Sequence, residues 1–425
     1  MKIKTPSRSL DHDFWARFAR DTWERRPAVF PQISSPLVQM DPAEIFRLTV
    51  LYAEHCRKSR SAEGFKFFLD GQRVHEDEAL KLLPRKSDKS LLGYHERMNA
   101  IFEDYCLVCD ELLRVNFEKH QIVSDFTAEL YRHVGFPNRF AEIGLYLGNY
   151  RKTPFGVHVD GCGVFSFPVI GKKKFRIWDQ SYIDKNPSLV RAFKYEKHKA
   201  KSMTLEAGPG DMTYWPSSSW HIAESDGSFS ATWSLGVWVD RPHSAAVHEA
   251  VAALVTERLG PHAEQTVTTF STLHEADGEV RGLPPLARKS LEALEKMSPA
   301  DLELALLKNW MVHVSKEGLK TPPRTPATRK LTMRTSVQKG HHPLLWLERD
   351  GRVFICVAGT IVDGASAGLL KLVKALNAGK RCKPEDYLKG RSVARDLEHL
   401  QTLADAGAFL AHQDSRSRRL NQPSS

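Results

Sequence analysis

The chain has 425 residues, 41% of them hydrophobic and 26% charged, with a formal net charge of +10. This is an ordinary globular composition, long enough for two or three domains with a sizeable core. It excludes collagen-like and low-complexity chains, and no run of about 18 apolar residues exists to form a transmembrane helix.

The basic start, Met1 to Arg8, is not followed by an apolar signal core. Six scattered cysteines suggest no disulfide framework, and the expected location is cytoplasmic. Residues 97–118 carry helical spacing. Cys106 and Cys109 are expected there as buried thiols, since no second CxxC completes a zinc site. Ile143 to Tyr150 reads as a strand. The apolar run from Gly161 to Ile170 predicts a buried strand, with Pro168 marking a bulge or an edge because it lacks a donor. Lys172 to Trp178 alternates charged and apolar, as a second strand would. Gly208 to Asp211 is a turn. Met212 to Trp215 then predicts a short strand delivering the loop that carries His221. From Ser228 to Trp238 small polar and apolar residues alternate, and Ser230, Thr232 and Ser234 share one parity. That parity either lines a polar cavity or forms a polar outer face.

Farther on, Pro242 to Gly260 predicts one helix ended by its glycine. Leu286 to Met297 predicts a second, and Ser298 caps a third that runs to about His313. Residues 320–330 read as a linker or exposed loop. Leu344 to Glu348, a turn over Arg349–Gly351, and Val353 to Val357 predict a hairpin. Helices follow over Ala365–Ala378 and Ala394–Ala406, each stopped by a glycine, and then a short strand at Ala408–Leu410. Residues 412–425 are polar and are expected to be disordered.

The chemistry concentrates in His158, Asp160 and His221. A His-x-Asp followed some sixty residues later by a histidine is the linear form of a facial triad, which holds Fe(II) and leaves positions open for a co-substrate and oxygen. In an extended segment, residues i and i+2 point to one side, so His158 and Asp160 can grip one ion while Val159 faces away. The same side chains also bind zinc.

The order His-x-Asp, a glycine followed by three basic residues and an aromatic, a Pro-Gly-Asp turn and Trp-Pro-x-x-x-Trp-His resembles the JmjC-type 2-oxoglutarate oxygenases, most of all the ribosomal oxygenases. The likeness extends over roughly 10–240, including the Phe14–Phe30 segment, with its specific motifs in 142–238. The resemblance implies an α+β protein. A double-stranded β-helix (cupin) barrel with N-terminal helices would occupy 1–241, a helical and dimer-forming region 242–319, and a winged-helix-like domain 320–411. It implies Fe(II) on His158, Asp160 and His221, and 2-oxoglutarate as co-substrate. Lys173, thirteen residues beyond Asp160, would anchor the distal carboxylate, with Phe175 on the same face. Tyr146 or Asn149 would offer a hydroxyl or amide to the co-substrate, and Thr232 would line the pocket. Pattern does not choose between Tyr146 and Asn149.

The implied activity is hydroxylation of a side chain on a protein or peptide, a ribosomal protein in the subfamily most resembled. N-methyl demethylation, hydroxylation of a peptide or amino acid in biosynthesis, and a non-catalytic cupin regulator with a DNA-binding winged helix remain open. Residues 320–425 hold 19 Lys+Arg and 9 Asp+Glu, which equals the whole net charge. That field suits an RNA-rich or acidic partner. Direct nucleic-acid binding is the less favoured reading, because the second C-terminal helix carries Asp396, Glu398 and Asp405.

Overall fold

Alternation along extended strands organises this protein, a computed structural model that describes residues 8–265, 283, 285–323 and 330–412. The chain forms two compact units, one running to Asp240 and taking in the segment from Gly318, the other beginning at Arg241 and resuming at Thr325.

In the first unit the elements are β1 (Arg8–Ser9), α1 (His12–Asp21), β2 (Ala28–Phe30), β3 (Ile33–Ser34), α2 (Pro42–Ser59), β4 (Phe65–Leu69), β5 (Gln72–Arg73), α3 (Glu76–Leu82), α4 (Leu91–Asn99), β6 (Tyr105–Cys109), α5 (Phe117–Val134) and β7 (Phe140–Gly148). They continue with β8 (Cys162–Ile170), β9 (Lys173–Trp178), α6 (Gln180–Lys185), β10 (Met203–Ala207), β11 (Met212–Trp215), β12 (Trp220–Glu224) and β13 (Ser230–Trp238). An eight-stranded antiparallel sheet has the order β2-β11-β8-β13-β7-β6-β4-β5, and a three-stranded sheet the order β10-β9-β12.

The period of two sends each strand's side chains to two destinations. On β7, β8 and β13, Ile143, Leu145, Phe165, Phe167, Trp233 and Leu235 enter one large core with Trp15 of α1 and Phe126 of α5. Their neighbours of opposite parity face the smaller sheet. There Cys162, Val164 and Trp215 meet Phe175, Ile177, Leu205 and Ala223. The two sheets thus share an interior, and helices cover the outside of the larger one. The α1 helix is fixed at its start by Asp11, whose side chain accepts from the Phe14 amide at 2.8 Å.

Three expectations change. Residues 105–109 are strand, not helix. Tyr105 to Cys109 is buried on both faces between β7 and β4, and such a run has no alternation to tell strand from helix. Both thiols are buried and free, as expected. His221 lies on β12 itself rather than in a loop. Lys320, where the linker was expected to begin, is paired instead. Leu319 bridges Ala141 in parallel, the Ala141 amide donates to Gly318 O at 2.7 Å, and the Lys320 amide donates to Ala141 O at 2.9 Å. The bulge expected at Pro168 is present: the β8–β13 register shifts between Ala231 and Thr232, and Thr232 faces Pro168.

The second unit contains α7 (His243–Leu259), α8 (Pro285–Glu295), α9 (Pro299–Ser315), β14 (Ser336–Lys339), β15 (Leu345–Arg349), β16 (Arg352–Val357), β17 (Thr360–Asp363), α10 (Ala367–Asn377), α11 (Pro384–Tyr387), α12 (Val393–Asp405) and β18 (Phe409–His412). Ser298 and Asp301 form a capping box at the start of α9. The β15–β16 hairpin turns through Asp350 and Gly351, both at positive φ, and β14 pairs with β18. His412, where the polar tail was expected to begin, ends β18; the rest of that tail, and residues 324–329 of the expected loop, lie outside the described residues.

Trp15 is 1% exposed and meets Phe126 edge-on at 5.2 Å. Trp15→Ala is expected to cost about 3–5 kcal/mol, read as a lowered denaturation midpoint in chemical unfolding.

Candidate active site

A cavity of about 500 Å³ opens between the two sheets. Residues 152 and 158 run beside β12, with Lys152 bridging Glu224 and His158 bridging His221. The His158 amide donates to His221 O at 3.0 Å, and the His221 amide returns to His158 O at 2.7 Å. This reciprocal pair sets two imidazoles from distant segments side by side, with ring centroids 4.4 Å apart.

Each imidazole has its Nδ1 against a backbone carbonyl. His158 Nδ1 is 2.9 Å from Gly156 O, and His221 Nδ1 is 2.9 Å from Ser219 O. A carbonyl only accepts, so Nδ1 carries the proton and Nε2 keeps its lone pair. The two Nε2 atoms lie 3.7 and 3.6 Å from Asp160 Oδ2, and one ligand atom from each residue falls within 4.8 Å of the others. Metal–ligand bonds of about 2.0–2.2 Å give adjacent ligand atoms about 3 Å apart, close to this spacing. Burial, with His158 adding to it, pushes the His221 pKa down to about 4, so the ring is neutral and ready to ligate. Val159 is exposed, on the side away from the site. The donor set, its orientation and its protonation fit a divalent metal ion.

Lys173 and Phe175 point inward from β9, while Lys172 and Lys174 lie outward, both near Glu206. Lys173 is 2% exposed. Its ammonium donates to the Tyr150 hydroxyl and sits 4.1 Å from the centre of that ring. Among the described residues it forms no ion pair, and burial pushes its pKa down to about 8. A buried ammonium without an anion is costly, so this end of the cavity favours a negatively charged ligand.

The remaining sequence candidates divide. Tyr146 and Thr232 line the cavity. Burial pushes the Tyr146 phenol well up, which keeps it protonated and able to donate. Thr232 is 1% exposed, and its hydroxyl has no partner among the described residues. Asn149 does not line the cavity. Its amide oxygen accepts from the Tyr105 amide at 3.0 Å, and its NH₂ donates to Asn99 Oδ1 at 3.0 Å and Glu103 O at 2.8 Å. Asn149 is a structural brace.

Sequence reasoning missed several wall residues. Trp215 packs, with tilted rings, between Phe175, at 4.4 Å, and His221, at 5.1 Å, and its indole nitrogen is buried without a partner among the described residues. Tyr150, behind the wall and just past the end of β7, holds Lys173 through its hydroxyl, and no spacing tied the two together. Lys66 with Asp110, at 2.7 Å, and Glu142 with Lys320, at 2.8 Å, add charge pairs to the wall. Burial pushes the Glu142 pKa up against the pull of Lys320. Lys320 comes from far down the chain, and no spacing rule could have assigned it.

Two antiparallel sheets enclosing a cavity with convergent His, Asp and His ligands define a cupin-type domain. A likeness in sequence points the same way: residues 121–245 match the family model described as the JmjC domain. Among solved structures, the chain is similar to YcfD, a ribosomal oxygenase from Escherichia coli, in complex with cobalt and succinic acid. Identity is 15% and the TM-score 0.50, over 94% of this chain and 98% of that one. A structure of YcfD with cobalt and 2-oxoglutarate gives 15% identity and a TM-score of 0.49 over the same shares. At that identity the first match shows a shared fold. No curated protein matches the chain.

Asn149→Ala is expected to lower thermal stability, because it strands the buried Tyr105 amide at about 1–3 kcal/mol. In enzyme that remains folded, the apparent 2-oxoglutarate affinity should stay within about twofold, since no contact to the cavity is lost. A selective loss of that affinity would return Asn149 to the site.

Proposed function

We propose that this chain is a JmjC-type, Fe(II)- and 2-oxoglutarate-dependent oxygenase that hydroxylates a side chain of a protein or peptide. The observation that carries the reading is that one cavity holds both the His158–Asp160–His221 cluster and the buried Lys173, which has no ion-pair partner among the described residues. His158, Asp160 and His221 hold the metal. When bound, the metal supplies the one-electron and oxygen chemistry that couples decarboxylation of the keto acid to insertion of oxygen into a C–H bond. Lys173, with Tyr150 polarised against it, receives the far carboxylate. Tyr146, Thr232 and Trp215 offer donors along the wall, and Phe175 and Trp215 keep water from the co-substrate. Fe(II) rather than zinc is the metal of this reading, on the family likeness.

A ribosomal protein is the first substrate to test, because the solved structures similar to this chain are of a ribosomal oxygenase. The second unit fits the supporting roles. We read its C-terminal strands and helices as a winged-helix-like domain. Helices α7 to α9 are read as a homodimer interface, with Val247, Leu291 and Trp310 exposed. Among the described residues no helix is long and apolar enough to cross a membrane. All six cysteines are free, which supports a cytoplasmic location.

The test is incubation with iron, 2-oxoglutarate and ribosomal protein, followed by mass spectrometry. A gain of one oxygen with matching succinate supports hydroxylation. Loss of a methylene points to demethylation, and no turnover under any condition points to a cupin without catalysis. His158→Ala, Asp160→Ala and His221→Ala should each abolish succinate formation while the circular dichroism spectrum is retained. Full turnover in any one of them removes the metal assignment.

Lys173→Ala should raise the 2-oxoglutarate KM by hundreds-fold or more, since stranding one partner of a buried pair costs roughly 3–5 kcal/mol. Lys172→Ala and Lys174→Ala should change it little. The pH dependence has a definite sign. Only the protonated ammonium pairs with a carboxylate. With the Lys173 pKa near 8, KM should hold below that value and rise above it, toward about tenfold per unit. A flat KM from pH 7 to 9.5 would show that the Lys173 charge is not used.

A further inference from the structure

Glu24 lies in the N-terminal segment, 197 residues before His221 in the sequence, and it is not a lining residue of the cavity. Yet its side chain gathers an unusual set of donors. Its carboxylate accepts from the Tyr214 hydroxyl at 2.9 Å, from the Ser217 amide at 3.1 and 3.3 Å, and from the Ser217 hydroxyl. Its own amide donates to the Tyr214 oxygen at 3.0 Å. Glu24 also adopts a left-handed backbone, φ 49°, which a residue with a side chain takes up only when its surroundings over-determine it. Room for the carboxylate is made by Gly163 on β8. A Cβ there would meet Glu24 Oε1 at 2.6 Å and the Tyr214 hydroxyl at 3.0 Å.

What Glu24 grips is the connection that leads into His221. Pro216 to Ser219 is a tight turn closed by the Ser219 amide on Pro216 O at 3.1 Å. The Ser219 carbonyl is the group that takes the Nδ1 proton of His221. On the other side of the turn, Trp215 packs on the His221 ring. The turn therefore fixes both the tautomer and the tilt of His221, and the Glu24 carboxylate is the anchor that the turn hangs from.

We infer that Glu24 is a positioning residue for the metal centre: by clamping Ser217 it holds the Pro216–Ser219 turn so that the Ser219 carbonyl presents His221 Nε2 to the ion. The inference rests on the metal reading of His158, Asp160 and His221. It concerns how a ligand is oriented, so the readout is metal binding rather than turnover.

The experiment is titration of metal-free full-length protein with Co(II), following the visible spectrum and the dissociation constant. Variants are Glu24→Ala, Glu24→Gln, Ser217→Ala and the Glu24→Ala/Ser217→Ala pair. His221→Ala serves as ligand control and Trp15→Ala as a destabilised control away from the turn. Glu24→Ala is expected to weaken Co(II) binding by roughly 10–100-fold, the usual cost of removing a group that orients a ligand, and to alter the visible bands. Glu24→Gln keeps one acceptor for Ser217 and should fall between. The double variant should lose less than the sum of the singles, because both act through one contact.

Unchanged affinity and bands in folded Glu24→Ala would overturn the inference. So would an equal loss in Trp15→Ala, which would trace the effect to general destabilisation. If His221→Ala itself binds Co(II) as tightly as the parent protein, the metal reading fails, and the inference fails with it.

Discussion

The two-residue period of the extended chain is the constraint on which this architecture rests. On β7, β8 and β13 one parity is large and apolar and fills the core with the helices. The other parity turns toward the smaller sheet and is free to be small or polar: Gly144 and Tyr146, Cys162 and Val164, Thr232 and Ser234. The core thus fixes strand register, and register fixes the cavity wall. A slip of one residue would bury the hydroxyls in the core and present Trp233 and Leu235 to the ligand. Helix packing on one face of the sheet is in this sense what keeps the chemistry in place on the other.

The same reasoning shows why much of the site could be read from sequence. His158 and Asp160 are two apart, and Lys173 and Phe175 are two apart, so local geometry alone groups each pair. Pro168 announced its bulge because a residue without a donor cannot sit in a regular central ladder. Tyr146 and Asn149 differ by an odd number of positions and could not both face the cavity, although pattern could not say which would. Residues 105–109 were misjudged for the opposite reason: a strand buried on both faces loses its alternation.

Groups brought in from a distance were not legible. Lys320 reaches the wall because Gly318 to Lys320 returns to pair with Ala141, after the chain has built the helices of the second unit. Glu24 reaches the His221 turn only because α1 and β2 are laid against the large sheet, where β2 pairs with β11. Tyr150, two residues past the end of β7, meets Lys173 at the start of β9, a pairing that sequence spacing does not show. Each contact depends on tertiary closure, and no window of residues carries a sign of it.

The cost of the site is also placed with some economy. Among the described residues, the cavity wall holds the Lys173 ammonium without an anion and the Thr232 hydroxyl and Trp215 indole nitrogen without partners. Some polar groups outside it are fully engaged: Asn149 uses its whole amide, and Glu224 accepts from Tyr195 and pairs with Arg176 and Lys199. Buried polar groups without partners destabilise a fold; among the described residues others lie outside the cavity, the Tyr94 and Tyr131 hydroxyls and the Trp233 indole nitrogen included, so it is the buried ammonium that sets this concavity apart. An anionic ligand at this end would give the Lys173 ammonium its counter-charge, and part of its binding free energy would come from that pairing.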